Sequence, residues 1–216
     1  MAWTNPTTRS AGDAILASDQ NIWVNNFRMG QPVFTNEAAR DAALTSPEEG
    51  MVAYLTTSTV ATATGGVMSV PTGITTIYNG SAWVCITPVS AFTTTTGTTT
   101  SGSFTSTLTS GGTNPSVTLA TGTTALVMLS ANASVNPAPT TIYVGAAVSG
   151  ATTLSPGGNS LAAYVGMSAG YLGTMTFVRV ITGLTAGTNT FTMQYQSGAG
   201  NTASYNERSI TVQGIA

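Results

Sequence analysis

The sequence predicts a mainly β protein: a short N-terminal helical anchor, a small module of helix plus hairpin, and a C-terminal antiparallel β-sandwich. Three observations lead there. Thr190-Phe191-Thr192-Met193-Gln194-Tyr195-Gln196 alternates polar and apolar residues, so Phe191, Met193 and Tyr195 share one face of a strand and the polar residues the other. Seven segments of this kind follow one another between Ser116 and Gly214, separated by turn residues. Apolar residues make up 42% of the chain, enough for a core, while charged residues make up 6%, against about a quarter in an average globular protein. Disordered chains are normally charged and poor in apolar residues, so this composition speaks for β structure hydrated by Thr and Ser hydroxyls.

Residues 1–30 form the anchor. Ser18 caps a short helix, with Asp19 in the first turn, where a carboxylate opposes the positive end of the helix dipole. Trp23 and Phe27, four apart, share one stripe, and Leu16 folds back onto the same side. Gly30 stops the helix. So short a helix is marginal alone in water, and its stripe needs a partner surface, on its own chain or on something larger.

Residues 31–88 form the small module. Thr35 or Asn36 caps a helix from Glu37 to Leu44, and a strand follows at Met51–Leu55. Beyond a Thr/Gly-rich loop, Ile74–Tyr78 and Ser81–Ile86 meet at Asn79-Gly80. Asn-Gly between β-like runs favours a two-residue turn, because both positions accept positive φ. That register sets Trp83 opposite Thr76 and diagonal to Tyr78, within ring contact. The single Cys85 lies in a β-like run and reads as a small buried hydrophobe.

Residues 89–115 read as a connector. Thr93 to Thr100 is seven Thr and one Gly. As free coil, residues 93–113 would span about 25 Å, and fully extended about 70 Å at most. The alternative is a stalk in which such strands from three chains wrap together.

Residues 116–216 form the sandwich. The candidate strands are 116–121, 125–131, 141–149, 161–167, 171–182, 189–196 and 209–214. Pro137, Pro139 and Pro156 fall between them, where proline breaks no ladder. Two packed sheets follow, either a jelly roll or an immunoglobulin-like sandwich. Arg179 shares parity with Met175, Phe177 and Ile181, so it faces the core or a subunit interface. A buried Arg needs a partner, and Glu207 is the only carboxylate after Glu49. An ion pair between Arg179 and Glu207, within or between chains, is expected, although Arg208 could take that carboxylate instead.

Charge is unevenly placed. Nine of the twelve charged residues lie within the first 49, none lies from Gly50 to Val178, and the net charge is −2. So neutral a surface favours self-association. No basic-then-apolar leader is evident and no apolar run is long enough to cross a membrane, so a soluble product made in a cytoplasm is expected.

The side-chain inventory argues against an enzyme. With no His and no Lys, the usual general bases, Schiff-base residues and commonest transition-metal ligand are missing. Glycoside hydrolysis generally needs two carboxylates, and Glu207 stands alone after residue 49. Five Arg give no basic stripe for nucleic acid. No catalytic residue, metal or cofactor is expected.

The segment Phe34-Thr35-Asn36-Glu37-Ala38-Ala39-Arg40-Asp41-Ala42-Ala43-Leu44, then Pro47-Glu48-Glu49-Gly50-Met51-Val52-Ala53-Tyr54, then Tyr78-Asn79-Gly80-Ser81-Ala82-Trp83, resembles a module of tailed-bacteriophage fibre and minor tail proteins. The opening, Thr4-Asn5-Pro6 through Asp13 to Asn21, resembles the start of many phage virion proteins. The run Gly183 to Tyr195, with Arg208-Ser209-Ile210-Thr211-Val212, resembles the last strands of C1q/TNF-like jelly rolls at phage fibre tips, which are trimeric. These resemblances imply a homotrimeric structural virion protein, attached to other virion proteins by its N-terminus and presenting a tip for adhesion to host glycan or protein. Tyr164, Tyr171 and Tyr205 are the candidate sugar-stacking residues, with core or interface roles as the alternative. The other functional reading is a capsid decoration or head-fibre protein that binds and stabilises the shell.

Overall fold

The computed structural model describes residues 31–157, 162–198 and 200–216. The anchor expected over residues 1–30, with Leu16, Trp23 and Phe27, lies outside the described residues.

The module begins with β1 (Val33–Phe34) and α1 (Glu37–Ala43), continues with β2 (Val52–Leu55), and ends with β5 (Ile74–Tyr78) and β6 (Trp83–Cys85); its sheet order is β1-β2-β5-β6. Asn36 caps α1, accepting from the Ala39 N–H at 3.0 Å. The hairpin differs from expectation. Tyr78 pairs directly with Trp83, so the loop holds four residues, 79 to 82. The cause is the Asn79 side chain, whose Oδ1 accepts from the N–H groups of Ser81 and Ala82 and builds a longer Asx-type turn. The two rings still meet, 5.5 Å apart. Arg40 is buried against Trp83, 4.5 Å from its ring, and ion-paired to Asp41 at 2.8 Å.

The rest is a two-layer sandwich. Its strands are β7 (Val89–Thr93), β8 (Gly97–Thr99), β9 (Ser116–Thr121), β10 (Thr124–Asn136), β11 (Thr140–Gly150), β12 (Ala162–Met167), β13 (Leu172–Thr182), β14 (Gly187–Ser197) and β15 (Thr202–Ile215). Sheet I runs β13-β10-β15-β7-β4, with β8 also on β15, and sheet II runs β12-β11-β14-β9-β3; β3 (Thr62–Thr64) and β4 (Val67–Ser69) come from the loop inside the module. Among the eight main strands the first pairs with the last, the second with the seventh, the third with the sixth and the fourth with the fifth. That nesting is one long antiparallel hairpin rolled up: a jelly roll. It rules out the immunoglobulin-like alternative, in which first and last strands occupy different sheets.

The connector expected at residues 89–115 is part of the sandwich. β7 and β8 both pair with β15, and the chain beyond them crosses from sheet I to sheet II through bridges Thr98–Thr109 and Thr105–Tyr195. Thr-rich sequence has the same composition whether it is free or in a ladder. Open edges on β15 and β14 decide the matter here.

One irregularity sets the core. In the β10–β15 ladder, Ser130 faces Ser209 and Asn132 faces Asn206, so Glu207 and Arg208 together oppose Ala131. This is a β-bulge, with Glu207 at φ 46. Before it Ala203 and Tyr205 point inward; after it Arg208, Ile210 and Val212 do. An unbroken strand would have turned Glu207 into the core.

Candidate interaction surfaces

The two flanks of the sandwich are built differently. On the β7/β9 side, β3 and β4 bridge the sheets near the module, and residues 97–115 strap them farther along. Arg208, 1% exposed, holds this strap from inside. Its guanidinium donates to the Tyr195 hydroxyl at 3.2 Å, to the Thr95 carbonyl at 3.0 Å and to the Gly111 carbonyl. Tyr195 in turn donates to Asn114 Oδ1 at 2.9 Å, and Asn114 Nδ2 donates to the Met193 carbonyl at 2.8 Å. Burial pushes the Tyr195 phenol up to about 12, against a lowering by the Arg208 charge.

The opposite flank, at β12 and β13, carries no strap among the described residues. Nine large apolar side chains are exposed there and elsewhere among the described residues, and six of them, Tyr164, Val165, Tyr171, Leu172, Val178 and Val180, fall on these two strands and their connection. Val178 and Val180 point off the outer face of sheet I, beside Met128 and Leu126 of β10. Tyr164 leaves the outer face of sheet II instead, so these side chains lie on both faces of the flank.

The two poles also differ. The module packs under the pole formed by the ends of β9 and β15: Gln213 donates to the Ile86 carbonyl at 2.7 Å, a Cβ placed on Gly214 would strike Val84, and one placed on Gly122 would meet the Asn79 amide. The far pole gathers the β10–β11, β12–β13 and β14–β15 turns, tied by Gly170 N–H to the Val135 carbonyl and Gly198 N–H to the Thr141 carbonyl. There a shallow cleft of about 380 Å³ opens between Val165, Met167, Ser168, Tyr171, Thr174 and Met175.

The candidate residues separate. Tyr164 and Tyr171 are exposed, at 74% and 64%. Tyr205 is fully buried, donating to the carbonyls of Tyr143 and Gln196 at 3.0 and 2.7 Å, so it is a core residue that no sugar can reach. Arg179 and Glu207 form no pair within the chain. Arg179 has the inward parity, opposite Val127, but β12 covers β11 only from Thr140 to Gly145 and leaves Arg179 exposed beside Phe177. Glu207, turned out by the bulge, accepts from Asn132 Nδ2, whose Oδ1 accepts from Thr174. Arg208 does not take that carboxylate either. Its shared parity with Ile210 and Val212 was the signal for its burial. Cys85 is buried as expected, and burial pushes its thiol up to about 11.

One arrangement had no counterpart in the sequence reading. On the outer face of sheet II, strand register sets Gln196, Tyr143 and Tyr164 side by side on β14, β11 and β12. Phe104, on the strap, extends the line. Ring centroids are 6.0 Å apart for Phe104–Tyr143 and 5.8 Å for Tyr143–Tyr164. Gln196 Nε2 donates to the Gly102 carbonyl at 2.8 Å, which fixes the strap beside the row.

No known family profile matches the chain, and no curated protein matches it. Several solved structures are similar over part of this chain. The CBM22-1 xylan-binding domain of Paenibacillus barcinonensis Xyn10C is 12% identical, covered over 79% of this chain and 100% of that one, with a TM-score of 0.35. The infectious bursal disease virus Gx strain structure is 11% identical over 66% of this chain and 42% of that one, with a TM-score of 0.35. The Clostridium thermocellum xylanase 10B CBM22-1–GH10 modules are 12% identical over 58% of this chain and only 29% of their own length, with a TM-score of 0.32. At such identities and TM-scores the likeness extends to no site and no function.

Proposed function

We propose that the chain is a structural virion protein of a tailed bacteriophage, a homotrimeric fibre or minor tail protein that exposes its jelly roll for adhesion to the host surface. The observation that carries this reading is the opposition of the two poles. The residues resembling phage fibre modules lie in the module at one pole, and the open turns and cleft lie at the other. A chain fixed to a particle through its N-terminal side therefore presents the far pole outward. The outer face of sheet I at β13 supports the trimer, since Val178 and Val180, exposed on a domain with two exposed charges among the described residues, favour burial against further copies. Linked copies would raise avidity without new contacts. The proposed role is non-catalytic and rests on the absence of His and Lys and the scarcity of carboxylates.

Electron microscopy of intact particles, with the protein located by antibody, tests the placement. Labelling of the tail or its fibres is the expected result. Labelling of the head would overturn it in favour of capsid decoration, and unlabelled particles would overturn both.

A further inference from the structure

We propose that the outer face of sheet II carries a binding site for neutral saccharide, with Tyr164 as its plate and Tyr143 and Phe104 behind it. The site rests on the reading of the jelly roll as an adhesion domain and names its ligand class. A pyranose ring has one face of C–H bonds and a rim of hydroxyls. The weakly positive C–H groups suit the negative face of an aromatic ring, while the hydroxyls need polar neighbours. Tyr164 offers a ring 74% open to solvent, held from one side by Tyr143 at 5.8 Å. Phe104 in turn backs Tyr143 at 6.0 Å.

The neighbours in register are small. Gly145 pairs with Ala162 in the rank on one side of the row, and Thr141 pairs with Gly166 on the other. A Cβ placed on Gly166 would meet nothing within 4 Å. The aromatic row therefore stands above shallow shelves that a sugar chain can lie along. Polar groups sit at the same level: the Gln196 amide, tethered through its Nε2 to Gly102, has its carbonyl oxygen left to accept, and Gln194 and Thr141 share the face.

Charge selects the ligand class. Among the described residues of the jelly roll the exposed charges are Arg179 and Glu207, both on sheet I, so no cation of the described jelly roll faces this row. Nucleic acid could stack on the same rings but needs cations for its phosphates, and acidic sugars need them too. Val178 and Val180 leave the other face of the sandwich, so covering them with a second copy leaves Tyr164 open.

The test uses the full chain, titrated calorimetrically with maltohexaose, cellohexaose and mannohexaose, with oligogalacturonate as the charged control. Host-cell adhesion is measured in parallel. At least one neutral oligosaccharide should bind and the control should not. Tyr164→Ala should weaken binding about tenfold with an unchanged melting temperature, and Tyr164→Trp should retain it. No neutral sugar bound at millimolar concentration, equal binding of oligogalacturonate, or full affinity in Tyr164→Ala would each overturn the site. Sugar binding and cell adhesion that both persist in Tyr164→Ala overturn the site and leave the adhesion reading standing. Sugar binding without cell adhesion by the parent chain supports the site and overturns the adhesion reading.

Discussion

Arg208 donates to the hydroxyl of Tyr195 at 3.2 Å, with its guanidinium 5.3 Å from the same ring, inside the jelly roll and with no carboxylate beside it. Among the described residues its partners are neutral oxygens, one phenol and the carbonyls of Thr95 and Gly111, and they engage only the two terminal nitrogens, leaving the buried Nε–H without a partner. Those carbonyls belong to the strap between the sheets, so the cation joins β15 to the closed flank. Arg208→Met keeps the volume and strands the carbonyls, and should cost about 3 kcal/mol in chemical denaturation. Arg208→Lys keeps the charge but not the fork, and should recover only part of that.

The bulge at Glu207 should tolerate a side chain less well than it tolerates none. Glu207 holds φ at 46, a conformation that glycine adopts freely. Glu207→Gly should leave the unfolding free energy within about 1 kcal/mol of the parent. Deleting Glu207 removes the parity shift and turns either Tyr205 or Arg208, Ile210 and Val212 outward. The deletion should yield no soluble protein with a β-type circular dichroism spectrum.

Acid should loosen the module through Glu37. Burial raises its carboxyl, but hydrogen bonds from Ser58 and from the Thr59 backbone and side chain outweigh that and hold it at about 2, against an ordinary 4.5. A folded pKa below the unfolded one means stability present above about 4.5 and lost as the pH falls through about 2. Denaturant midpoints between pH 6 and pH 2 should fall in the parent and fall less in Glu37→Gln.

Alkali should act on the core tyrosines. Burial raises both phenols above their ordinary 10, Tyr195 to about 12 and Tyr205 further. The folded state then holds protons that the unfolded state gives up, so stability is full below pH 10 and declines as the pH climbs toward 12. Melting followed from pH 8 to pH 12 should show this decline, with the phenolate absorbance of these two residues appearing only on unfolding.

The open flank should govern assembly. Val178 and Val180 are 56% and 57% exposed, so charge placed there spares the folded chain. Native mass spectrometry should find a trimer of the parent and monomers of Val178→Lys/Val180→Lys, with melting of the isolated chain nearly unchanged. A parent monomer at micromolar concentration would remove the assembly reading.

Most of the sandwich was legible because its strands are half-buried, and half-burial writes period-two alternation into the sequence. Phe191, Met193 and Tyr195 point inward as read, and every segment expected to be a strand between Ser116 and Gly214 contains one. The candidate sites were less legible. Tyr164, Tyr171 and Tyr205 are the same residue type, and only packing separates an exposed ring from a buried one. The row of Phe104, Tyr143 and Tyr164 joins three segments distant in sequence, and strand register alone brings them together.

By itself the sequence determined the β class, a helix capped at Thr35 or Asn36, the strands after Ser116 and the burial of Cys85, because each follows from local periodicity, a local hydrogen bond or a single side chain's polarity. Tertiary structure decided the order of the strands, the capture of the Thr-rich stretch after Val89 as β7 and β8, and the exchange of Glu207 for Arg208 at the core. A strand's composition says that it wants a partner without naming one. A one-residue bulge then reverses every face beyond it, and that reversal depends on the strand alongside.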